Sequence, residues 1–225
     1  MLRMTLAVIR KDMTLTLLRG NGLVQALLLG LLLIFVFSLS QGVGESLSAR
    51  SAAAVFWLSS AFCQILMFNQ LYALEEVNNS RLGLLLSPAP IQAIWLGKAI
   101  AGFVLLLSAQ CIFLPATVIF LGKSLSGPPG PSLVILLLTD TGMCALGSLL
   151  GALAQGQTAR EALLGIVFFP LLTPLLLAGT GIGAQAFDGI DPDGSSAWLG
   201  LASAFDAIFL AAGLLLFAFL YAGDE

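Results

Sequence analysis

Residues 80–98 read SRLGLLLSPAPIQAIWLGK, and this stretch divides a strongly apolar chain at a point where no helix can continue. Pro88 and Pro90 each lack a backbone N–H and disfavour helix in the residue before them. The stretch is nevertheless too apolar for an ordinary solvated loop. It joins two long apolar runs, so the class of protein follows from the length and number of those runs.

The charge content indicates an integral membrane protein. The 225 residues are 59% hydrophobic and 9% charged, whereas a typical soluble domain carries roughly 25% charged residues. So few charges cannot cover the surface of a soluble protein of this size. The net charge of −3 and the absence of a basic cluster in the sequence give no indication of nucleic-acid binding.

The apolar runs predict an all-α membrane protein with six transmembrane helices. A bilayer core of about 30 Å needs about 20 apolar residues in a helix. Six such runs are predicted, at 21–40, 51–73, 95–121, 132–155, 162–180 and 198–221. They are too long for buried strands, and no alternating pattern indicates a membrane barrel. We expect residues 1–225 to form a single transmembrane domain.

Residues 1–20 precede the first run and predict an amphipathic helix that lies in the membrane surface. The apolar side chains of one helical stripe are Leu2, Leu6, Ile9, Met13 and Leu17. Lysine and arginine set the orientation of the spans. With the amino terminus inside, only Arg50 and Lys123 of the nine basic residues fall outside, which predicts that both termini are cytoplasmic.

In that orientation residues 74–94 form a cytoplasmic segment between the second and third spans. Residues 75–86 are long enough for about three helical turns, and Pro88 and Pro90 end them. Leu82 and Leu85 belong to an apolar face, while Glu75 and Glu76 lie on the opposite side. An apolar face on a cytoplasmic helix predicts docking, either on the membrane or on a partner.

Two patterns inside the spans predict how helices pack. Pro170 and Pro174 lie four residues apart in the fifth span, which predicts a kinked helix, either static or moving. Thr173 is available to satisfy the backbone that the prolines free. Gly147 and Gly151 form a G-x-x-x-G in the fourth span, a pattern of close helix packing. The sequence leaves open whether they pack within the chain or across a homodimer.

Asp140 is predicted to be an intramembrane carboxyl, and such a group is a functional candidate by default. The favoured interpretation is a neutral side chain that hydrogen-bonds Thr139, Thr141 or a carbonyl; the alternative is a working carboxyl. We expect Asp206 to lie nearer the external surface and to be hydrated. Lys98 is expected to extend to the cytoplasmic face.

Residue types with catalytic or metal-binding chemistry are scarce. The sequence contains no histidine, and its three cysteines each lie inside an apolar run without a C-x-x-C spacing. The tripeptide Gly122-Lys123-Ser124 lacks the first glycine of a phosphate-binding loop, because residue 117 is Thr117. These observations predict a non-catalytic chain with no catalytic residues, metal, cofactor or nucleotide site of its own.

Three stretches carry a resemblance to a known family. LLLSPAPIQAIWLGKA (84–99) closely resembles the L-L-L-[SA]-P…A-I-x-L-G-K-A segment of the haem exporter permease B family (CcmB) of cytochrome c maturation. FFPLLTPLLLAG (168–179) resembles that family's paired-proline fifth span, and FDAIFLAAGLLLFAFLYAGDE (205–225) resembles its last span. RKDMTLTLLR (10–19) is similar to its basic amphipathic start.

The resemblance implies an ABC-2-type permease of the bacterial inner membrane that works with a separate ATPase, CcmA. It also implies a complex with CcmC, CcmD and the haem chaperone CcmE, with this chain as a homodimer. ATP binds the partner, and its hydrolysis serves haem delivery or release of the haem-loaded chaperone. The ATPase-coupling residues would be Glu75, Glu76, Leu82, Leu85, Pro88 and Pro90. Alternatives are an ABC-2 permease that exports a lipid, glycan or drug, and an ion-coupled secondary carrier that uses Asp140.

Overall fold

The protein is a bundle of helices. The computed structural model describes residues 2–18, 21–42, 47–77, 83–84, 86, 90–155, 160–190 and 194–222, and this part of the chain contains helices and no strand. The helices are α1 (Leu2–Leu18), α2 (Asn21–Leu39), α3 (Ala49–Val77), α4 (Ile91–Phe120), α5 (Pro129–Leu153), α6 (Arg160–Gly183), α7 (Gln185–Asp188) and α8 (Ser195–Ala222).

Six helices are long and apolar enough to cross a membrane, namely α2, α3, α4, α5, α8 and the stretch Gly165–Asp188 of α6 and α7. The predicted class, six spans preceded by an amino-terminal helix, is confirmed. The fourth helix begins four residues earlier than the third predicted span. Pro90 sets this start, because its backbone is extended, with φ −64° and ψ 134°, and the helix begins at the next residue.

The spans divide into central and peripheral helices. Of the most apolar windows, 72% of the residues of α3 and 67% of those of α5 are buried, against 17% for α2 and 22% for α8. The peripheral helices expose large apolar side chains, including Leu28 and Leu32 of α2 and Phe219 of α8. In a membrane these side chains contact lipid, so their exposure is the expected state. The interior of the protein is therefore built around α3 and α5.

The first helix packs against α4, α3 and α2, mostly with a face other than its apolar stripe. Its buried side chains are Thr5, Val8, Asp12 and Thr16. Of the stripe, Leu2, Leu6 and Leu17 are exposed, while Met13 packs against the core. The close approach to α4 depends on Gly97, where a Cβ atom would overlap Val8. Most of the apolar stripe thus points away from the bundle, as a helix lying in a membrane surface requires.

The G-x-x-x-G of α5 packs within the chain. A Cβ atom at Gly147 would overlap the ring of Phe68, and one at Gly151 would overlap the ring of Tyr72. Both rings belong to α3 and are buried. The two glycines therefore let an aromatic face of α3 lie directly on the backbone of α5, which resolves the choice that the sequence left open.

The two prolines of the fifth span lie inside a single helix. Pro170 and Pro174 both fall within α6, which runs from Arg160 to Gly183. The Thr173 hydroxyl donates to the carbonyl of Phe169 at 3.0 Å. The carbonyls that lose a donor to the prolines are those of Ile166 and Pro170, four residues before each proline, so this hydroxyl does not serve them. Whether this helix moves stays a prediction.

Candidate functional site

Four charged side chains from three helices meet at one end of the bundle. They are Lys11 and Asp12 of α1, Glu75 of α3 and Lys98 of α4, and we call them the ionic cluster. Lys98 Nζ lies 2.8 Å from Glu75 Oε1 and 3.4 Å from Asp12 Oδ2. Lys11 Nζ lies 3.0 Å from Asp12 Oδ1 and also contacts Glu75 Oε1. Each lysine therefore bridges both carboxylates, and the four charges sum to zero.

Two tyrosines extend the ionic cluster to two further helices, α5 and α8. Tyr221 of α8 donates its hydroxyl hydrogen bond to Glu75 Oε2 at 3.0 Å. Lys98 Nζ lies 4.4 Å from the centre of the Tyr72 ring, within the range of a cation–π interaction. The Tyr72 hydroxyl in turn donates to the Ser148 carbonyl at 2.6 Å. Through these contacts the cluster joins α1, α3, α4, α5 and α8.

Burial makes the pairing obligatory. Glu75 and Lys98 are 0% exposed and Asp12 is 2% exposed, so none of the three can be neutralised by bulk water. Only Lys11, with a quarter of its side chain exposed, reaches the rim. Burial by itself would lower the pKa of Lys11, but Asp12 and Glu75 outweigh it, and the pKa is raised above its usual 10.5. A buried pair contributes little net stability yet is costly to break, which suits a device that fixes positions.

The ionic cluster includes residues at both ends of the predicted coupling segment. Glu75 is the second residue of segment 74–94, and Lys98 lies four residues after its last. Their 2.8 Å contact joins the last turn of α3 to α4. A displacement applied to the segment acts on two helices whose ends are already joined.

Two expectations from the sequence are wrong here. Glu75 was expected on the outer face of a short cytoplasmic helix, but it belongs to the last turn of α3 and is buried. Lys98 was expected to extend to the cytoplasmic face, but it is buried too. The reason is the same for both, because opposite charges on neighbouring helices neutralise them inside the bundle.

The other predicted coupling residues are only partly described. Pro90 precedes the first turn of α4 and is partly exposed. Glu76 is in α3, but its side chain lies outside the described residues, as do Leu82, Leu85 and Pro88. The apolar docking face therefore stays a prediction.

Asp140 is buried in α5, as an intramembrane carboxyl should be, but its partner differs from the expected ones. Gln110 of α4 donates its amide N–H to Asp140 Oδ1 at 2.8 Å. The Thr141 hydroxyl instead donates to the Leu137 carbonyl, and the Thr139 hydroxyl has no hydrogen-bond partner. The sequence could not indicate Gln110, because the pairing depends on how two distant helices align.

Asp206 also differs from its expected environment. It was expected near the external surface, but it is 5% exposed and lies eleven residues into α8, about 16 Å from the start of that helix at 1.5 Å per residue. Its carboxylate lies against Gly142 of α5, where a Cβ atom would overlap Oδ1. In the described part of the chain no three Cys, Asp or Glu side chains lie close enough together to hold a metal ion.

Sequence reasoning missed four contributors to these sites, namely Lys11, Asp12, Gln110 and Tyr221. A signal existed for one of them, Asp12. It is the only acidic residue of α1, as Lys98 is the only charged residue of α4, and a charge within an apolar helix usually has a partner. Nothing in the sequence indicated that the two would meet.

The fold and the site together define a multi-pass α-helical membrane protein whose helices are joined at one end by buried opposite charges. Comparison with known families makes this more specific. The chain belongs to the CcmB protein family, whose model matches residues 3–222.

The chain aligns with curated relatives over most of their length. The chain is 26% identical over 187 residues to heme exporter protein B of Pseudomonas aeruginosa, with 81% of this chain and 83% of the relative covered. It is 27% identical to heme exporter protein B of Paracoccus denitrificans, with 83% and 85% covered. The protein of the same name from Rhodobacter capsulatus is 24% identical, with 82% and 84% covered.

Proposed function

We propose that this chain is the membrane subunit of an ABC-type complex for cytochrome c maturation. The chain itself is non-catalytic. It couples ATP hydrolysis by a separate ATPase subunit, CcmA, to haem delivery or to release of the haem-loaded chaperone CcmE. Haem is the cargo of the complex and ATP the ligand of the partner. CcmC, CcmD and a second copy of this chain complete the assembly.

The observation that carries the coupling role is the contact between Glu75 and Lys98, which joins α3 and α4 at the two ends of the predicted segment 74–94. An ATPase that presses on this segment moves α3 and α4 as one unit, because their 2.8 Å ion pair is buried. Asp12 passes the displacement to α1, and Tyr221 passes it to α8. The cluster thus converts a local push into a movement of the helix bundle.

Family membership and the absence of histidine support the same role. A subunit that transmits force needs no haem ligand, and the usual one is missing from this sequence. We place the chain in the bacterial inner membrane with both termini cytoplasmic, on the distribution of lysine and arginine. Impermeant maleimide should then label a single cysteine at Gly189 in intact cells and leave one at Ser80 unlabelled. Equal labelling of both would overturn the orientation.

The test of coupling is Leu85→Glu, which introduces a charge into the predicted docking face. Burial of an unpaired charge costs several kcal/mol, and about 1.4 kcal/mol changes an affinity tenfold. We expect normal amounts of the variant in the membrane, loss of ATPase co-purification, and either trapped haem-loaded chaperone or absent c-type cytochromes. The measurements are an affinity purification from native membranes and a haem stain of cytochromes.

The matched control is Leu125→Glu. Leu125 is an exposed leucine at the opposite end of the helices from the ionic cluster, so the same charge there should leave the ATPase bound and cytochromes mature. If Leu85→Glu retains its ATPase and matures cytochromes as the control does, residues 74–94 are not the coupling segment.

A further inference from the structure

A second buried polar site lies in the middle of the spans. It comprises Ser60 and Gln64 of α3, Gln110 of α4, Asp140 of α5 and Asp206 of α8, and we call it the mid-span polar group. None of these side chains is more than 5% exposed. Asp140 lies eleven residues from the start of α5, about 16 Å along the helix. The site is therefore at membrane depth, away from the ionic cluster.

Hydrogen bonds connect three helices within the mid-span polar group. The Gln110 amide N–H₂ donates to Asp140 Oδ1 at 2.8 Å and to Ser60 Oγ at 3.4 Å. Gln64 donates to the sulfur of Cys144 at 2.9 Å. Ser60 uses its own hydrogen to donate to the Phe56 carbonyl. Both amide hydrogens of Gln110, one amide hydrogen of Gln64 and the hydroxyl hydrogen of Ser60 are thus directed at a neighbour.

The acceptors of the group exceed its donors. Asp140 Oδ2, Gln110 Oε1 and Gln64 Oε1 have no hydrogen-bond partner. Buried acceptors without a donor are costly, and three in one site are unusual in a native interior. The mid-span polar group therefore has fewer hydrogen-bond donors than its acceptors need.

The surroundings supply no positive charge. The side chains that α3 and α4 contribute are neutral, α8 contributes Asp206, and α5 itself adds only the Cys144 thiol. Leu175 of α6 lies against Gly142, and Asp188 of α7 is exposed. Lys98 is on α4 but twelve residues from Gln110, about 18 Å away along the helix, and it is paired within the ionic cluster. No described lysine or arginine forms an ion pair with either aspartate of the group.

We propose that Asp140 and Gln110 form an intramembrane proton-binding site. The bound proton, taken up from water, sits on Asp140 Oδ2 and is donated to Gln110 Oε1, while the Gln110 amide N–H donates to Oδ1. A single proton then satisfies two of the partnerless acceptors and removes a buried charge that would be unpaired. A metal cation fits less well, because hard cations take six or more oxygen ligands and this pair offers two oxygens.

The proton-bound pair is a neutral tie between α4 and α5, with Ser60 joining α3 through the same amide. It joins the helices by hydrogen bonds, whereas the ionic cluster joins them by ion pairs. The proposal is independent of the coupling role, since it would hold for this bundle whatever the complex transports.

Infrared spectroscopy of the purified protein at neutral pH tests the proposal. The protein is held in dodecyl maltoside, which has no carbonyl of its own, and spectra in H₂O and D₂O identify the carbonyl stretch of protonated carboxylic acids. We expect such a band in the wild type, loss of one component in Asp140→Asn, and persistence of that component in Asp206→Asn. In Gln110→Leu the component should move to higher wavenumber, because its carbonyl no longer accepts a hydrogen bond.

Two results would overturn the proposal. One is a wild-type spectrum from which Asp140→Asn removes nothing, since Asp140 would then be ionised. The other is a Gln110→Leu band that stays in place, since the proton would then not be shared with the amide. If Gln110→Leu does not fold, the wavenumber of the Asp140 component in the wild type decides instead, and a free, unbonded carbonyl contradicts the proposal.

Discussion

The ionic cluster and the mid-span polar group each bury two carboxyls, yet they neutralise them in different ways. Asp12 and Glu75 at the end of the bundle face two lysines. Asp140 and Asp206 lie in the middle of the spans, and the direct partner found for Asp140 is a neutral amide. The same functional group is thus held by opposite charge in one place and by hydrogen bonding in the other.

Depth explains the difference. A long lysine side chain at the end of the bundle can be inserted and still lie close to water, as Lys11 does with a quarter of its side chain exposed. A lysine at the middle of a span is separated from water by half of the bilayer. Its charge is costly there until the helices assemble and provide a partner. A protonated carboxyl enters the membrane as a neutral group. Charge pairing is therefore available to the end of the bundle and protonation to its middle.

The largest expected effect comes from removal of the central cation. Lys98→Met keeps the length of the side chain but leaves Asp12 and Glu75 to share Lys11. Loss of one partner of a buried pair typically costs about 3–5 kcal/mol. We expect a large drop in the temperature at which the purified protein loses its monodisperse peak in size-exclusion chromatography.

Lys123→Met is the control for this prediction, because Lys123 lies in a loop outside the ionic cluster and the same change there should have little effect. Combining Lys98→Met with Glu75→Gln should recover part of the loss, since the second change removes the carboxylate that the first left short of a partner. Equal stability of Lys98→Met and wild type would show that the cluster does not hold the helices.

A matched pair of carboxyl-to-amide changes separates the two sites directly. Glu75→Gln removes a charge that two lysines and Tyr221 contact, and hydrogen bonds to charged groups are worth roughly 1.5–3 kcal/mol. Asp140→Asn keeps size and hydrogen bonding at a site that we propose to be neutral. We expect Glu75→Gln to be destabilised by about 2 kcal/mol more than Asp140→Asn in thermal unfolding. Asp140→Asn should also leave cytochrome maturation near normal.

The opposite order of stability would reverse the comparison. It would make Asp140 the charged carboxyl and Glu75 the replaceable one. Loss of maturation in Asp140→Asn at normal protein levels would instead favour a working carboxyl at this position, and with it the secondary-carrier alternative.

The smallest effect is expected at the rim of the ionic cluster. The pKa of Lys11 is raised above 10.5 in the folded protein, so the folded protein binds this proton more tightly than the unfolded chain does. The stabilisation is therefore complete below pH 10.5 and is lost as the pH rises through the higher folded-state pKa. We expect Lys11→Met to melt slightly below wild type at pH 8, by about 1 kcal/mol or less.

The difference in thermal stability between wild type and Lys11→Met should narrow above pH 10.5, as Lys11 of the wild type loses its proton. The measurement is a series of thermal melts of both proteins between pH 8 and pH 11.5. A difference that stays constant across the series would mean that Lys11 contributes through its aliphatic chain rather than its charge.

The sequence by itself determined the class of protein, the number of spans and the family motifs. These follow from local quantities, because the length of an apolar run and the position of a proline need no knowledge of neighbouring helices. Pro90 shows this well, since it sets the start of α4 by its own backbone geometry. The segment 80–98 and the paired prolines of α6 were recognisable for the same reason.

Only the tertiary structure decided which side chains meet. Lys98 finds Asp12, which is 86 residues away, and Gln110 finds Asp140, which is 30 residues away. The alignment of two helices in such pairs depends on close packing, as where Gly97 admits Val8 and Gly147 admits Phe68. A charge in an apolar helix indicates that a partner exists, but which residue is the partner depends on the rotation and register between helices. Those are properties of the assembled bundle, and no single stretch of sequence contains them.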